Sequence, residues 1–171
     1  MEAIQIIQKS SMKDPRGMFF KLFNEAEFSA QGIEMEIKES YYTISKKDTI
    51  RGMHFQIPPY EQAKLVHVTA GSIVDVVVDL RRQSKNYGKY QEVYLKENQD
   101  MVYIPAGFAH GFQALEDHTI VNYHVTSLYS PEHDKGIRWD SFGYRWGGLV
   151  HPIMSVRDQN FISLDGFESP F

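Results

Sequence analysis

Eight short segments limit what this chain can fold into. They are FFKLF (19–23), EMEIKESYYTI (34–44), AKLVHVTA (63–70), IVDVVVDL (73–80), YQEVYL (90–95), MVYI (101–104), GFQAL (111–115) and TIVNYHVT (119–126). They are rich in branched and aromatic residues, many alternate apolar with polar, and turn residues separate them. Successive side chains of a strand point to opposite faces, so each such segment has a face to bury against a neighbouring layer. Short strands spaced by about 8–12 residues form antiparallel sandwiches or barrels. The chain therefore reads as all-β with one or two short helices, in a single domain over residues 1–171. Gly71, between HVTA and IVDV, marks the tightest expected hairpin. Asn24 with Glu27 forms a capping pair for one short helix over about 25–31, and a second helix is expected after Ser155. In IVDVVVDL, alternation puts Val74, Val76, Val78 and Leu80 on an apolar core face. Asp75, Val77 and Asp79 then take an outer polar face, and Arg81, Arg82 and Lys85 read as solvated charge.

Composition removes several classes of function. A chain of 171 residues with 42% hydrophobic and 23% charged residues can bury one sizeable core and is not disordered. No apolar run approaches the length of a bilayer span, so no membrane partner is expected, and MEAIQIIQKSSMKD lacks the regions of a signal peptide. The sequence has no cysteine, which excludes disulfides and thiolate chemistry and makes a cytoplasmic location the expectation. A net charge of −4 gives no electrostatic case for nucleic acid, although it leaves local phosphate binding open.

The chemistry lies in polar residues set inside the apolar pattern. In HFQIPPYEQAKLVHV (54–68), His54 and Gln56 share one strand face, and Lys64 stands alone among apolar residues. These are either satisfied structural groups or the lining of a pocket. In IPAGFAHGF (104–112), a proline and two glycines fix a turn, after which His110 enters a strand. This P-x-G-x-x-H turn resembles the second motif of the cupins, small jelly-roll barrels whose first motif usually brings H-x-H and a glutamate to a metal. The matching segment here reads His54-Phe55-Gln56, with Glu61 further on. An amide is a poor substitute for imidazole on a transition metal, and His67 falls on the face opposite Lys64, so no metal is expected. His54 then suits proton abstraction, given a partner that fixes its tautomer. Tyr123 and Tyr129 share a face if their strand runs that far, and a phenol can return a proton to a carbanion. A base on one side of a substrate and a phenol on the other is the arrangement for inverting a carbon. The plainer alternative is tyrosines that only pack.

TIRGMHFQIPPYEQAKLVHVTAGSIVDVVVDLRRQSKNYGKY, YIPAGFAHGFQAL, NYHVTSLYSP and IMSVRD resemble the dTDP-4-dehydrorhamnose 3,5-epimerase family, in order and with similar spacing, over roughly residues 12–160. The resemblance implies a metal-free cupin barrel, usually a homodimer, working without a cofactor. Its members epimerise carbons flanking the 4-keto group of a nucleotide-linked deoxysugar. The resemblance further implies that His54 is the base and Asp158 its carboxylate partner. Lys64 would lie beside the developing enolate, Tyr123 would return the proton, and Tyr129 would stack on the nucleotide base. Arg51, His110 and Arg157 match ligand-binding positions, and Arg16 matches a nucleotide-side arginine. Gln56, beside the base, is counted with the substrate-binding set. Trp139 and Trp146 match aromatics read as structural. One conflict remains in the pattern: strict alternation sends Arg51 and His54 to opposite faces unless a bulge or a rim position intervenes.

Two segments depart from the family pattern. Where R-G-x-F-x-E is common, this chain has Arg16-Gly17-Met18-Phe19-Phe20-Lys21, and where Q-x-N is common it has Glu39-Ser40-Tyr41. Neutral drift is one reading. The other is a change of base: Lys21 offers donors and Glu39 a carboxylate, which suits cytosine where the family reads thymine. The substrate is thus expected to be a dTDP- or CDP-linked 4-keto-deoxyhexose. The rival functions are a ketoisomerase on the same scaffold, a metal-dependent cupin oxygenase and a non-catalytic sugar-binding barrel.

Overall fold

A computed structural model describes residues 4–171. In chain order the strands are β1 (Gln5–Ile7), β2 (Ser10–Asp14), β3 (Gly17–Lys21), β4 (Glu39–Ser45), β5 (Ile50–Gln56), β6 (Lys64–Ala70), β7 (Ser72–Asp79), β8 (Tyr90–Lys96), β9 (Met101–Ile104), β10 (Phe108–Ala114), β11 (Thr119–Val125) and β12 (Asp134–Gly136). Two short α-helices, α1 (Glu25–Ser29) and α2 (Val156–Gln159), and two 3-10 turns, Trp146–Gly148 and Leu164–Gly166, accompany them. The side chain of Asn24 caps α1 through Glu27 N–H, as its spacing implies, and Ser155 caps α2 through Asp158 N–H. The expected strand over 34–44 begins only at Glu39.

The strands form two antiparallel five-stranded sheets, ordered β1-β9-β6-β11-β4 and β12-β5-β10-β7-β8, and a separate hairpin of β2 with β3. The sheets face each other across a core that includes Val66, Val68, Val77, Val102, Phe112 and Val121. This is the cupin-type jelly roll that the 104–112 turn implied.

The expected hairpin at Gly71 does not form, because β6 and β7 belong to opposite sheets. Gly71 has φ 75, and a Cβ there would lie 2.4 Å from the Thr119 hydroxyl oxygen. A tight left-handed corner pressed against β11 carries the chain across the sandwich instead of back along itself.

The face assignment of β7 is also corrected. Val76, Val78 and Leu80 are buried as expected, but beneath the C-terminal segment that supplies Trp139, Phe142 and Trp146. The other face is not solvated either: Asp75, Val77 and Asp79 are all buried, and Val77 belongs to the barrel interior. A strand covered on both sides cannot reveal by polarity which side is wet. Each aspartate has found a partner: Asp75 bonds His110, and Asp79 accepts from Arg81 and Ser84. Arg81 is accordingly a mostly buried ion-pair member lying over Phe108, not simple solvated charge.

A bulge resolves the Arg51–His54 conflict. On β10, His110 and Phe112 oppose His54 and Arg51 of β5, so Gly52 and Met53 of β5 together face the single Gly111 of β10. The extra residue turns Arg51 to the same side as His54. Glycine is required on both strands here. A Cβ on Gly52 would come within 2.6 Å of Gly111 Cα, and one on Gly111 within 2.8 Å of the Arg51 carbonyl oxygen. Gly52→Ala should therefore destabilise the protein by roughly 1–3 kcal/mol, the range of overpacking. Gly143→Ala, with open space around it, should lose only the left-handed preference, about 1 kcal/mol. Paired urea denaturation curves compare the two.

Candidate active site

Between the sheets lies a cavity of about 180 Å³. The first sheet lines it with Tyr41, Thr43, Lys64 and Tyr123, the second with Arg51, His54, His110 and Asp134, and neighbouring segments with Gln62 and Tyr129. His54 and Tyr123 thus face it from opposite walls.

Asp158 holds His54 from behind. One carboxylate oxygen lies 2.9 Å from His54 Nε2, and the other accepts from Gly52 N–H at 3.2 Å. A carboxylate can only accept, so Nε2 carries the proton and Nδ1 keeps a lone pair. Burial works against the Asp158 charge, but the bonds from His54 and Gly52 outweigh it and hold the carboxyl below its usual range.

Lys64 is buried and donates to the His54 carbonyl oxygen at 3.1 Å. Burial lowers its pKa to about 8, against the opposing pull of Asp134 and Asp75. Tyr123 is buried, and desolvation raises its phenol well above the ordinary value, so it stays protonated. His110 bonds Asp75 at 2.7 Å, and burial keeps the imidazole neutral despite that carboxylate.

Seven of the residues singled out from the sequence line this one cavity: Arg51, His54, Gln56, Lys64, His110, Tyr123 and Tyr129. Gln56 does so with its amide already engaged. It donates to the carbonyl oxygens of Tyr60 and Leu128 and accepts from Ser130 N–H, pinning the loops on either side. It is a strut of the wall, not a free ligand group, and among the described residues no cluster of three or more His, Asp or Glu fits a metal. Glu39 lines an adjoining cleft of about 290 Å³ with Tyr41, Gln62, Val125 and Tyr129, and it accepts from Tyr129 N–H.

Three sequence candidates lie apart from the cavity. Arg16 pairs with Asp14 and Lys21 with Glu27, the first on the exposed β2–β3 hairpin and the second at its end. Arg157 pairs with Asp134 and lies over Phe161, so it touches a lining residue without lining the cavity itself. Sequence reasoning missed Tyr41, Thr43, Gln62, Asp75 and Asp134 as site residues. The signal for Asp75 was present: a histidine buried in a barrel needs an acceptor, and Asp75 lies on a neighbouring valine-rich strand.

The model of the dTDP-4-dehydrorhamnose 3,5-epimerase family matches residues 1–166. The chain belongs to that family. A dTDP-4-dehydrorhamnose 3,5-epimerase of Methanothermobacter thermautotrophicus is 46% identical over 161 residues, covering 91% of this chain and 86% of the relative. The crystal structure of the Bacillus anthracis epimerase, with TDP and pyrophosphate bound, superposes with a TM-score of 0.90 at 34% identity, covering 94% of this chain and 93% of that one. A Legionella pneumophila 3,5-epimerase in complex with dTDP-4-keto-L-rhamnose gives 0.91 at 30% identity, covering 96% and 89%.

Within this family member, the Gln56 strut sets up a direct test. Gln56→Leu removes the side-chain partner of two carbonyls and one N–H on partly exposed loops at the barrel end. The expected loss is about 1–3 kcal/mol, since three hydrogen bonds are lost and water replaces them only in part. Thermal denaturation measures it, and an unchanged melting temperature would mean that water replaces the amide.

Proposed function

We propose that the protein inverts C5, C3 or both of a dTDP-linked 4-keto-deoxyhexose by proton abstraction, enolate formation and reprotonation from the other side. The observation that carries this reading is the opposition of His54 and Tyr123 across one cavity that Lys64 also lines.

The C3 and C5 protons are acidic only because the C4 carbonyl accepts the electron pair left behind. His54 takes the proton at Nδ1, and the resulting imidazolium is supported by the Asp158 charge at Nε2. The pair moves to O4, where the Lys64 ammonium stabilises the oxyanion in a water-poor setting. The Tyr123 phenol then donates to the opposite face of the carbon. Imidazolium and phenolate are left, and solvent resets both. Arg51 and His110 hold the sugar and diphosphate end, and Tyr129, 59% exposed at the cleft, offers its ring to the base.

Thymine is favoured over cytosine. The cytosine reading depended on Lys21 and Glu39, yet Lys21 is paired with Glu27, and one Glu39 oxygen is taken by Tyr129 N–H. The relatives that carry nucleotides carry TDP or a dTDP-sugar. We also propose a homodimer working in the cytoplasm. The β2–β3 hairpin leaves Met12, Met18 and Phe19 more than half exposed, with Arg16 at its tip. Docked on a second copy, it would cover these residues and bring Arg16 to the other copy's nucleotide cleft.

Incubation with dTDP-4-keto-6-deoxyglucose in D2O, followed by NMR, tests the chemistry. Wild type should incorporate deuterium with inversion, and His54→Asn should lose both by about 10²–10⁴ in rate. Tyr123→Phe should retain wash-in but lose inversion, because His54 can return a solvent-derived proton to the original face. A keto group moved to another carbon identifies a ketoisomerase, and binding without exchange identifies a sugar-binding barrel. A matched CDP-sugar turned over faster overturns the choice of base. The Lys64 charge is present below about pH 8 and lost above it, so kcat should fall as pH rises through that value. Lys64→Arg should move this limb upward, and a limb that does not move rules out Lys64 as its source. For the dimer, mixing Arg16→Ala with His54→Asn subunits should regain activity. No regain would place Arg16 outside any shared site.

A further inference from the structure

Tyr41 occupies the position at which the family pattern has the asparagine of Q-x-N, and nothing in the mechanism above uses it. It lies directly across from Tyr123 in the β4–β11 register. The two rings are stacked, with centroids 4.9 Å apart and planes 18° from parallel. On its other flank Tyr123 has Val66 of β6, and the His110 ring meets it edge-on at 6.0 Å. Those two neighbours belong to the barrel interior. Tyr41 does not: β4 is the outermost strand of its sheet, and Tyr41 lines both the cavity and the adjoining cleft. It is the group between the Tyr123 ring and the open side. Its hydroxyl makes no hydrogen bond to any described residue, so its contact with Tyr123 is made by the ring.

We propose that Tyr41 is a positioning residue for the proton-returning phenol: its ring holds Tyr123 aimed across the cavity and keeps water of the cleft away from that face. Asparagine at this position is too small to cover an aromatic ring, so this chain fixes its acid by a contact the usual pattern lacks. Burial is the main cause of the raised Tyr123 pKa and keeps the phenol protonated. Stacked pairs of this kind favour a defined ring orientation beyond simple area burial.

The inference rests on the reading of Tyr123 as the acid, and the test separates the two. The measured quantity is the ratio of inversion to deuterium wash-in with dTDP-4-keto-6-deoxyglucose in D2O. Tyr41→Asn should lower that ratio about tenfold or more, the scale of effect expected when a reacting group is misplaced by a fraction of its length. Tyr41→Phe, which keeps the ring and loses only the hydroxyl, should restore the parent ratio. Tyr41→Thr, a good strand former, repeats the asparagine test if that variant folds poorly. An unchanged ratio in a folded Tyr41→Asn or Tyr41→Thr protein overturns the proposal. So does a fall in Tyr41→Phe equal to that in Tyr41→Asn, because the hydroxyl would then be the active part. Tyr123→Phe run alongside gives the control. Full inversion there removes Tyr123 as the acid. Lost inversion there with a normal Tyr41→Asn refutes only the role of Tyr41.

Discussion

Asp158 has both carboxylate oxygens engaged, one by His54 Nε2 and the other by the N–H of Gly52. The second bond matters as much as the first. A bulge leaves backbone groups unpaired, and Gly52 is in the bulge of β5. The same carboxylate that orients the imidazole thus satisfies the backbone irregularity that brings Arg51 and His54 to one side. Asp158 comes from the short helix α2, capped by Ser155, and the C-terminal segment that carries α2 also covers the outer face of the second sheet. Base, bulge and cover are therefore coupled through one side chain.

The rest of the cavity depends on enclosure. Lys64, Asp75, His110 and Tyr123 are all nearly inaccessible, and in such a setting each charge must have a partner or shift its pKa. His110 stays neutral and gives its N–H to Asp75; Lys64 holds a charge weakened by burial; Tyr123 keeps its proton. One wall thus carries a cation ready for an oxyanion and a phenol ready to donate, and the other carries a free imidazole lone pair. The groups differ in protonation because their surroundings differ, which lets acid and base coexist at one pH.

Much of this was legible in the sequence. The alternating segments gave an all-β barrel because a half-buried strand needs period-two patterning, and Asn24 and Ser155 announced their helices by side-chain capping chemistry. The motifs around His54, Lys64, His110, Tyr123 and Tyr129 named the lining of the cavity. Where the reading failed, it failed for one reason. Period-two patterning separates the two faces of a strand but does not say what covers each, so Asp75 was assigned to solvent although it faces the barrel interior. Gly71 was read as a hairpin for a related reason: a positive φ marks a turn and leaves open which sheet the next strand joins.

The sequence by itself determined the local alphabet: strand and turn periods, helix caps, the glycines that permit close approach, and the chemical types available for proton transfer. Only the tertiary structure decided which of these meet. The stacking of Tyr41 on Tyr123, the capture of Gly52 N–H by a residue more than a hundred positions away, and the engagement of Gln56 by two loops are contacts between distant segments. Their energies come from burial and from hydrogen bonds that water no longer competes for. Such terms exist only once both sheets and their covers have closed.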